Sequence, residues 1–309
     1  MRSEFQFIQN IKKKYGLAHV GDDCAVLPKD PETDLLVTAD LLVEDVDFRL
    51  EWTTPEFLGH KALAVSLSDI AGMGGTPDWA MLSIGVPETL WNGDFLDRFY
   101  EGWHSLATQF NVELIGGDVS RSPDKFVVDS VVCGSVPKGK AVLRSTAKAG
   151  DVIFVTGPIG AAAGGLKLLE DRGNQIASET LALRQLKPTP QVKLANSLRE
   201  IASAMTDISD GFSSDLSHVC EASKVGAIVT HIPIDPTLLE NFDDDLAFDF
   251  ALNGGEDFEL LFTVPREKIF EAEKLPVTRV GIITSDAGKI ELIRGEVKSE
   301  IKPKGYRHF

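Results

Sequence analysis

Six aspartates, far apart along the chain, are the residues whose chemistry is most constrained. Asp40 closes Thr38-Ala39-Asp40 after the apolar run Leu35-Leu36-Val37; Asp23 follows Gly21-Asp22; Asp69, Asp118, Asp207 and Asp210 each stand beside glycine, serine or an apolar segment. The apolar run predicts a strand that delivers Asp40 at its end, where a carboxylate costs folding free energy unless something positive meets it. Hard oxygen ligands spread over several elements suit Mg²⁺, which takes a few carboxylates together with water and phosphate oxygens. The expectation is a metal-bound nucleotide site.

The elements that must carry these acids can be read in order. Residues 4–15 predict a short amphipathic helix, and Gly21-Asp22-Asp23-Cys24-Ala25-Val26-Leu27 a glycine turn entering a strand. Thr53-Thr54-Pro55-Glu56 reads as a helix start, with a capping box from Thr53 to Glu56 and proline in the first turn. That helix runs through Leu58, Ala62, Val65 and Ile70, spaced for one buried face, and Gly72-Met73-Gly74-Gly75 ends it. Asp69 falls near its C-terminal end, where the helix dipole disfavours a carboxylate, and the misplacement points to a ligand role. A strand over 79–86 and a helix over 94–110 follow, the latter with Phe95, Phe99, Trp103 and Leu106 on its core stripe and Tyr100 off it.

Val112 to Ser120 reads as strand, double glycine, acid: Gly116 and Gly117 let backbone N–H groups approach a phosphate, and Asp118 could hold its counter-cation. After a strand over 126–136, a fresh strand-then-glycine pattern from Gly150 to Gly157 places a domain boundary near Thr146, with Arg144 just before it. In the second half Thr206 runs into Asp207-Ile208-Ser209-Asp210-Gly211 at a strand-to-helix junction, a dense polar knot. Asp215 and the run Asp243-Asp244-Asp245 read as solvated acids. Asn253-Gly254-Gly255-Glu256-Asp257 leads into a strand over 258–264, with Glu256 a candidate to face a ligand. Strand order is not derivable from this pattern.

Composition narrows the classes. The 309 residues hold 31 Lys plus Arg against 47 Asp plus Glu, a formal charge of −16, which disfavours a protein that tracks nucleic-acid phosphates. Anionic substrates would then need cations to bridge them. Cys24, Cys133 and Cys220 fit neither a zinc spacing nor a disulfide framework and read as buried thiols in a reducing compartment. Neither a signal peptide nor a membrane span is expected, so the location expected is cytoplasmic. G-x-x-x-x-G-K-[ST] is missing, as are protein-kinase signatures, H-E-x-x-H and G-x-S-x-G. Metals and glycine backbones must therefore do what a P-loop lysine does elsewhere.

Taken together, Gly21-Asp22-Asp23-Cys24-Ala25, Thr38-Ala39-Asp40, Leu67-Ser68-Asp69-Ile70-Ala71-Gly72-Met73-Gly74, Gly116-Gly117-Asp118, Asp207-Ile208-Ser209-Asp210-Gly211 and Gly254-Gly255-Glu256-Asp257-Phe258-Glu259-Leu260 stand in an order that resembles the thiamine-monophosphate kinase family. The closing Gly305-Tyr306-Arg307-His308-Phe309 is similar to that family's C-terminal end. The resemblance implies phosphorylation of thiamine monophosphate to thiamine diphosphate by ATP, on an α+β, two-domain fold like the aminoimidazole-ribonucleotide synthetase superfamily, with mixed sheets flanked by helices. It implies a dimerising, metal- and nucleotide-binding domain over residues 1–146, a completing α+β domain over 147–309, and a homodimer with ATP near the subunit interface. Carried over motif by motif, Asp23, Thr38, Ala39, Asp40, Asp69, Asp118, Asp207 and Asp210 would hold several Mg²⁺ ions. Tyr100, Gly117, Asp118, Arg144 and Ser209 would meet ATP, and Asp47, Glu256 and Tyr306 the substrate, with no residue expected as a general base.

Two positions depart from the family pattern: Asp47 stands where the family has histidine before phenylalanine, and Val119 where a hydroxyl residue usually follows Gly-Gly-Asp. The alternatives are another ATP-using enzyme of the superfamily and a non-catalytic divalent-metal-binding protein. Among the former, a selenophosphate synthetase would need a reactive cysteine near the N-terminus and a carbamoyl dehydratase a terminal cysteine.

Overall fold

The structure, a computed structural model, describes residues 4–176 and 179–306. Of the closing segment used in the resemblance, Arg307-His308-Phe309 lies outside the described residues. In chain order the elements are α1 (Glu4–Tyr15), β1 (Ala25–Pro28), β2 (Thr33–Val43), α2 (Pro55–Gly72), β3 (Thr76–Val86), α3 (Glu88–Trp91), α4 (Phe95–Phe110), β4 (Glu113–Arg121) and β5 (Val127–Pro137). Then follow β6 (Val152–Val155), α5 (Ala161–Arg172), α6 (Thr180–Leu186), α7 (Val192–Arg199), β7 (Ala204–Asp207), α8 (Phe212–Ser223), β8 (Gly226–Val229), α9 (Pro236–Leu239), α10 (Asp244–Asn253), β9 (Leu260–Val264), β10 (Thr278–Thr284), β11 (Ile290–Arg294) and β12 (Val297–Glu300).

Strands β1 to β5 form one sheet in the order β1-β2-β5-β3-β4, antiparallel except for the β3–β4 pair. The remaining strands form a second sheet, β12-β11-β8-β10-β6-β9-β7, antiparallel except for β8–β11. The architecture is α+β with two mixed sheets flanked by helices, as the resemblance implied. Asp40 is not at a strand end as expected. β2 pairs with β5 without a break from Thr33 opposite Pro137 to Val43 opposite Val127, and this long ladder carries the strand past the acid. Asp40 therefore projects from the strand interior.

Helix α2 is the axle between the two sheets. One buried face was expected, but the helix is buried all round, from Leu58 through Ser68 and again at Ile70 to Gly72. Its apolar residues join a single core with Val132 of the first sheet and Phe154, Met205 and Phe262 of the second. Close approach to α4 depends on two glycines: a Cβ on Gly59 would lie 1.9 Å from the Phe99 carbonyl oxygen, and one on Gly102 1.9 Å from that of Glu56. The start of α2 also differs from expectation. Thr54, not Thr53, is the cap, accepting the Phe57 N–H at 3.3 Å; Glu56 is thereby one position too early for a capping box, and it pairs instead with Arg98 at 2.7 Å. Strand β9 begins at Leu260 rather than 258, because Phe258 has a left-handed φ of 52° that no strand accommodates.

Candidate active site

The C-terminal half of α2 gathers acids from both sheets. Ser66 donates to Asp40 Oδ2 at 2.6 Å, from the first sheet, and Ser68 donates to Asp207 Oδ2 at 2.6 Å, from the end of β7 in the second. The Thr38 hydroxyl donates to Asp69 Oδ2. Two fully buried serines within an apolar helix are explained by these bonds, since a buried hydroxyl is tolerated when paired. Asp23, Asp69 and Asp207 each offer a carboxylate oxygen within 4.8 Å of the others. At the end of the helix, Gly72 leaves room for them: a Cβ there would lie 2.4 Å from Asp23 Oδ2.

Among the described residues, one guanidinium serves this cluster. Arg144 Nη2 donates to Asp23 Oδ1, which also accepts from Thr206 at 2.9 Å, and the Arg144 backbone N–H donates to Asp22 Oδ1 at 2.9 Å. Burial tends to pull the arginine's pKa down, but Asp23, Asp215, Asp207 and Asp22 more than offset it and hold the charge in place. Burial pushes Asp22 up to about 6 and Asp40 up to about 6. Asp69 rises well above the ordinary carboxylate range through burial and then the charges of Asp40, Asp207 and Asp23; Asp207 rises through burial and Asp23. Asp23 is raised by burial against the opposing pull of Arg144. Asp23 Oδ2 and Asp207 Oδ1 are buried without a hydrogen-bond partner. Converging, raised, orphaned carboxylate oxygens of hard-donor type fit a divalent oxygen-seeking cation, the donor set Mg²⁺ prefers.

Asp40, whose charge acts on Asp69, links the cluster to a cavity of about 480 Å³ whose wall includes Asp40, Asp47, Lys61, Ser209, Asp210 and Glu256 but not Asp23, Asp69 or Asp207. Tyr306 reaches its rim because the Tyr306 backbone N–H donates to the Asp210 carbonyl at 3.1 Å, folding the last described residues over the β7–α8 junction. Asp47 also turns inward on its own chain, its Oδ2 accepting the Val43 N–H at 2.8 Å. Asp215, expected as a solvated acid, is only 2% exposed. It accepts the N–H groups of Asp210 and Gly211 at 3.2 and 3.0 Å, so a first-turn carboxylate caps its own helix entry and shapes the polar knot. With Asp210 and His218 it makes a second group of closely spaced ligand atoms.

Not every expected residue meets this constellation. Asp118 and Gly117 stand on β4, exposed throughout, with Asp118 opposite Ser83 and accepting the Val119 N–H at 2.9 Å. Tyr100 is half-buried on α4, packed edge-on against Phe99 at 5.7 Å. Ala39 is exposed on β2 opposite Val131. None of these four lines the cavity or joins either carboxylate group among the described residues. Residues missed from sequence are Ser66, Thr206, Asp215 and Lys61; the readable signal for the first was polar residues on α2 facing Asp69's end of an otherwise apolar helix. Cys24, Cys133 and Cys220 are buried free thiols, as expected, and burial lifts the Cys24 thiol well above its ordinary value. Among the described residues, no helix is long and apolar enough to cross a membrane.

Two family models match the chain: AIR synthase related protein, N-terminal domain, over residues 21–136, and AIR synthase related protein, C-terminal domain, over residues 148–293. The thiamine-monophosphate kinase of Bacillus subtilis is 37% identical over 308 residues, covering 94% of this chain and 93% of that protein. That of Salmonella typhimurium is 38% identical over 302 residues, covering 94% and 91%. Among solved structures, AaThiL complexed with AMPPCP and TMP matches with a TM-score of 0.87 at 32% identity, covering 99% of this chain and 97% of that one. A HypE-HypF complex matches at 16% identity with a TM-score of 0.75, covering 96% and 98%, a likeness of fold alone.

Proposed function

The chain belongs to the thiamine-monophosphate kinase family of AIR synthase related proteins, and from that premise we propose that it phosphorylates thiamine monophosphate to thiamine diphosphate with ATP as co-substrate. The observation that carries this reading onto the chain's own residues is the pair of buried, partnerless oxygens, Asp23 Oδ2 and Asp207 Oδ1, in an acid cluster whose neighbour Asp40 stands on the wall of a cavity of about 480 Å³.

Asp23, Asp69 and Asp207 would hold Mg²⁺ at the cluster, with Thr38 orienting Asp69, and Asp40 and Asp210 would extend the set toward the cavity. Bound there, Mg²⁺ would neutralise phosphate charge and lower the barrier to phosphoryl transfer. Arg144 supplies a fixed positive charge beside the acids, suited to a nucleotide phosphate. Ser209, on the same wall as Asp210, offers a hydroxyl to the nucleotide, and Glu256 and Tyr306 frame the thiamine end, the exposed ring of Tyr306 being suited to a cationic heterocycle. A phosphate oxygen of the substrate attacks the γ-phosphorus in line; that P–O bond forms as the bond to the β-phosphate oxygen breaks, and ADP leaves with the electron pair. The attacking phosphate is already largely ionised near neutral pH, so no general base is required.

The division between domains falls at residues 146 and 147, consistent with family matches ending at 136 and beginning at 148. A homodimer through the first sheet is supported by its apolar exposed residues Leu41, Met81, Leu114, Ile115 and Val119. Asp118, Gly117, Tyr100 and Ala39 would then complete the nucleotide site in the assembled dimer. The enzyme works in the cytoplasm, where its three thiols stay reduced. The test is direct: ATP, Mg²⁺ and thiamine monophosphate with the purified protein should yield thiamine diphosphate and ADP, and leaving out Mg²⁺ should stop the reaction. ATP turnover that ignores thiamine monophosphate would refute the assignment.

A further inference from the structure

Glu256 is gripped from both halves of the chain. Its backbone takes a left-handed φ of 66°, and its N–H donates to the Ser209 carbonyl at 2.8 Å, which turns the side chain toward the domain seam. There Lys61 Nζ lies 2.7 Å from Glu256 Oε1, and Gln185 Nε2 donates to Glu256 Oε2. Lys61 comes from the middle of α2 and Gln185 from α6. Lys61 is 3% exposed, and no other described lysine or arginine is so deeply buried, whereas Glu256 is 29% exposed and opens onto the cavity.

Burying an ammonium carries a desolvation penalty that one ion pair often fails to recover, and a methionine would fill the same place in α2 without it. The lysine therefore does something other than stabilise the helix. A carboxylate has about four acceptor directions, and Lys61 and Gln185 occupy one on each oxygen. Those remaining belong to a carboxylate whose orientation is already fixed and whose charge is already matched.

We propose that Lys61 and Gln185 are positioning residues that lock the Glu256 carboxylate so that its free lone pairs accept hydrogen bonds from the heterocyclic end of the substrate. Charge matching makes Glu256 a reader of N–H donors rather than of net charge. Because Lys61 precedes Asp69 by eight residues, about 12 Å of helix, α2 also fixes the separation between this recognition point and the carboxylate cluster. A substrate with donors at one end and a phosphate at the other is measured against that length. This inference rests on the function proposed above.

The test is a double-mutant cycle on the full chain with Lys61→Met, Glu256→Gln and the pair together. Lys61→Met is expected to raise KM for thiamine monophosphate about tenfold, with KM for ATP within about twofold and kcat within about threefold. Glu256→Gln should do the same, and the double variant should be no worse than about twofold beyond Glu256→Gln alone. Multiplied losses in the double variant, or an equal rise in KM for ATP, would overturn the proposal. Gln185→Leu should raise the same KM about threefold, and an unchanged value overturns its part. Thermal unfolding gives a readout independent of activity: the double variant should melt above Glu256→Gln, because the Lys61→Met change removes the ammonium that Glu256→Gln leaves stranded. A double variant less stable than either single one refutes the pairing. If the wild-type protein does not phosphorylate thiamine monophosphate, the functional reading fails while the melting cycle still decides whether Lys61 acts through Glu256.

Discussion

Ser68 and Asp207, separated by 139 residues, share a hydrogen bond of 2.6 Å that joins the central helix to the second sheet. The serine satisfies Asp207 Oδ2 and leaves Oδ1 without a partner, so one oxygen is fixed and the other is presented. A hydroxyl that orients a ligand in this way acts from outside the metal's own shell. Ser68→Ala is expected to weaken activation by Mg²⁺ by about tenfold to a hundredfold, read as a rightward shift of the Mg²⁺ titration of activity. An unmoved titration would show that Asp207 holds its orientation without it.

Asp40, on β2, and Asp210, at the junction of β7 and α8, line the same cavity. Asp40→Asn and Asp210→Asn should each lower turnover by about 100-fold or more, since electrostatic positioning is asked to supply most of the acceleration. Circular dichroism should stay near wild type and the melting temperature of the metal-free protein should not fall, because each change removes a charge from a crowded anionic site. Wild-type turnover in both variants would remove these acids from the site.

The metal-free protein should lose stability as pH rises from about 4 to 7. Asp22 and Asp40 titrate at about 6 and Asp257 at about 7, all pushed up chiefly by burial, while Asp69 and Asp207 also lie high. In that window the folded chain keeps protons that the unfolded chain has released, so each pH unit favours unfolding. His60, whose pKa is lowered by burial, works in the opposite direction, as do the acids Asp30, Asp34, Glu56 and Glu291, which hydrogen bonds hold below the ordinary range. The net loss should be several kcal/mol by urea denaturation in EDTA. Mg²⁺ should restore more stability at pH 7.5 than at pH 5; equal restoration at both would contradict a carboxylate metal site.

The exposed apolar residues of the first sheet predict self-association. Sedimentation equilibrium should find a dimer at micromolar concentration, and Met81→Glu combined with Ile115→Glu should weaken it at least about tenfold, since each glutamate would be buried unpaired. A monomeric wild-type chain would leave Asp118 stranded on an open edge and remove the dimer from the reading.

Much of this protein was determined by local pattern alone. The polar knot from Asp207 to Asp210 could be placed at a strand-to-helix junction, and Asp69 could be marked as out of place at a helix end, because capping, dipole and hydrophobic spacing act over a few residues. Six ordered motifs likewise carried the family. Only the tertiary structure decided that Asp40 lies inside a strand, that α2 is buried on every side, that Asp215 is buried and that Lys61 meets Glu256 across the seam. Each of these depends on what packs against an element from far along the chain. Residue order records the periodicity of a single helix or strand, whereas burial and charge pairing are properties of surfaces that meet only after folding.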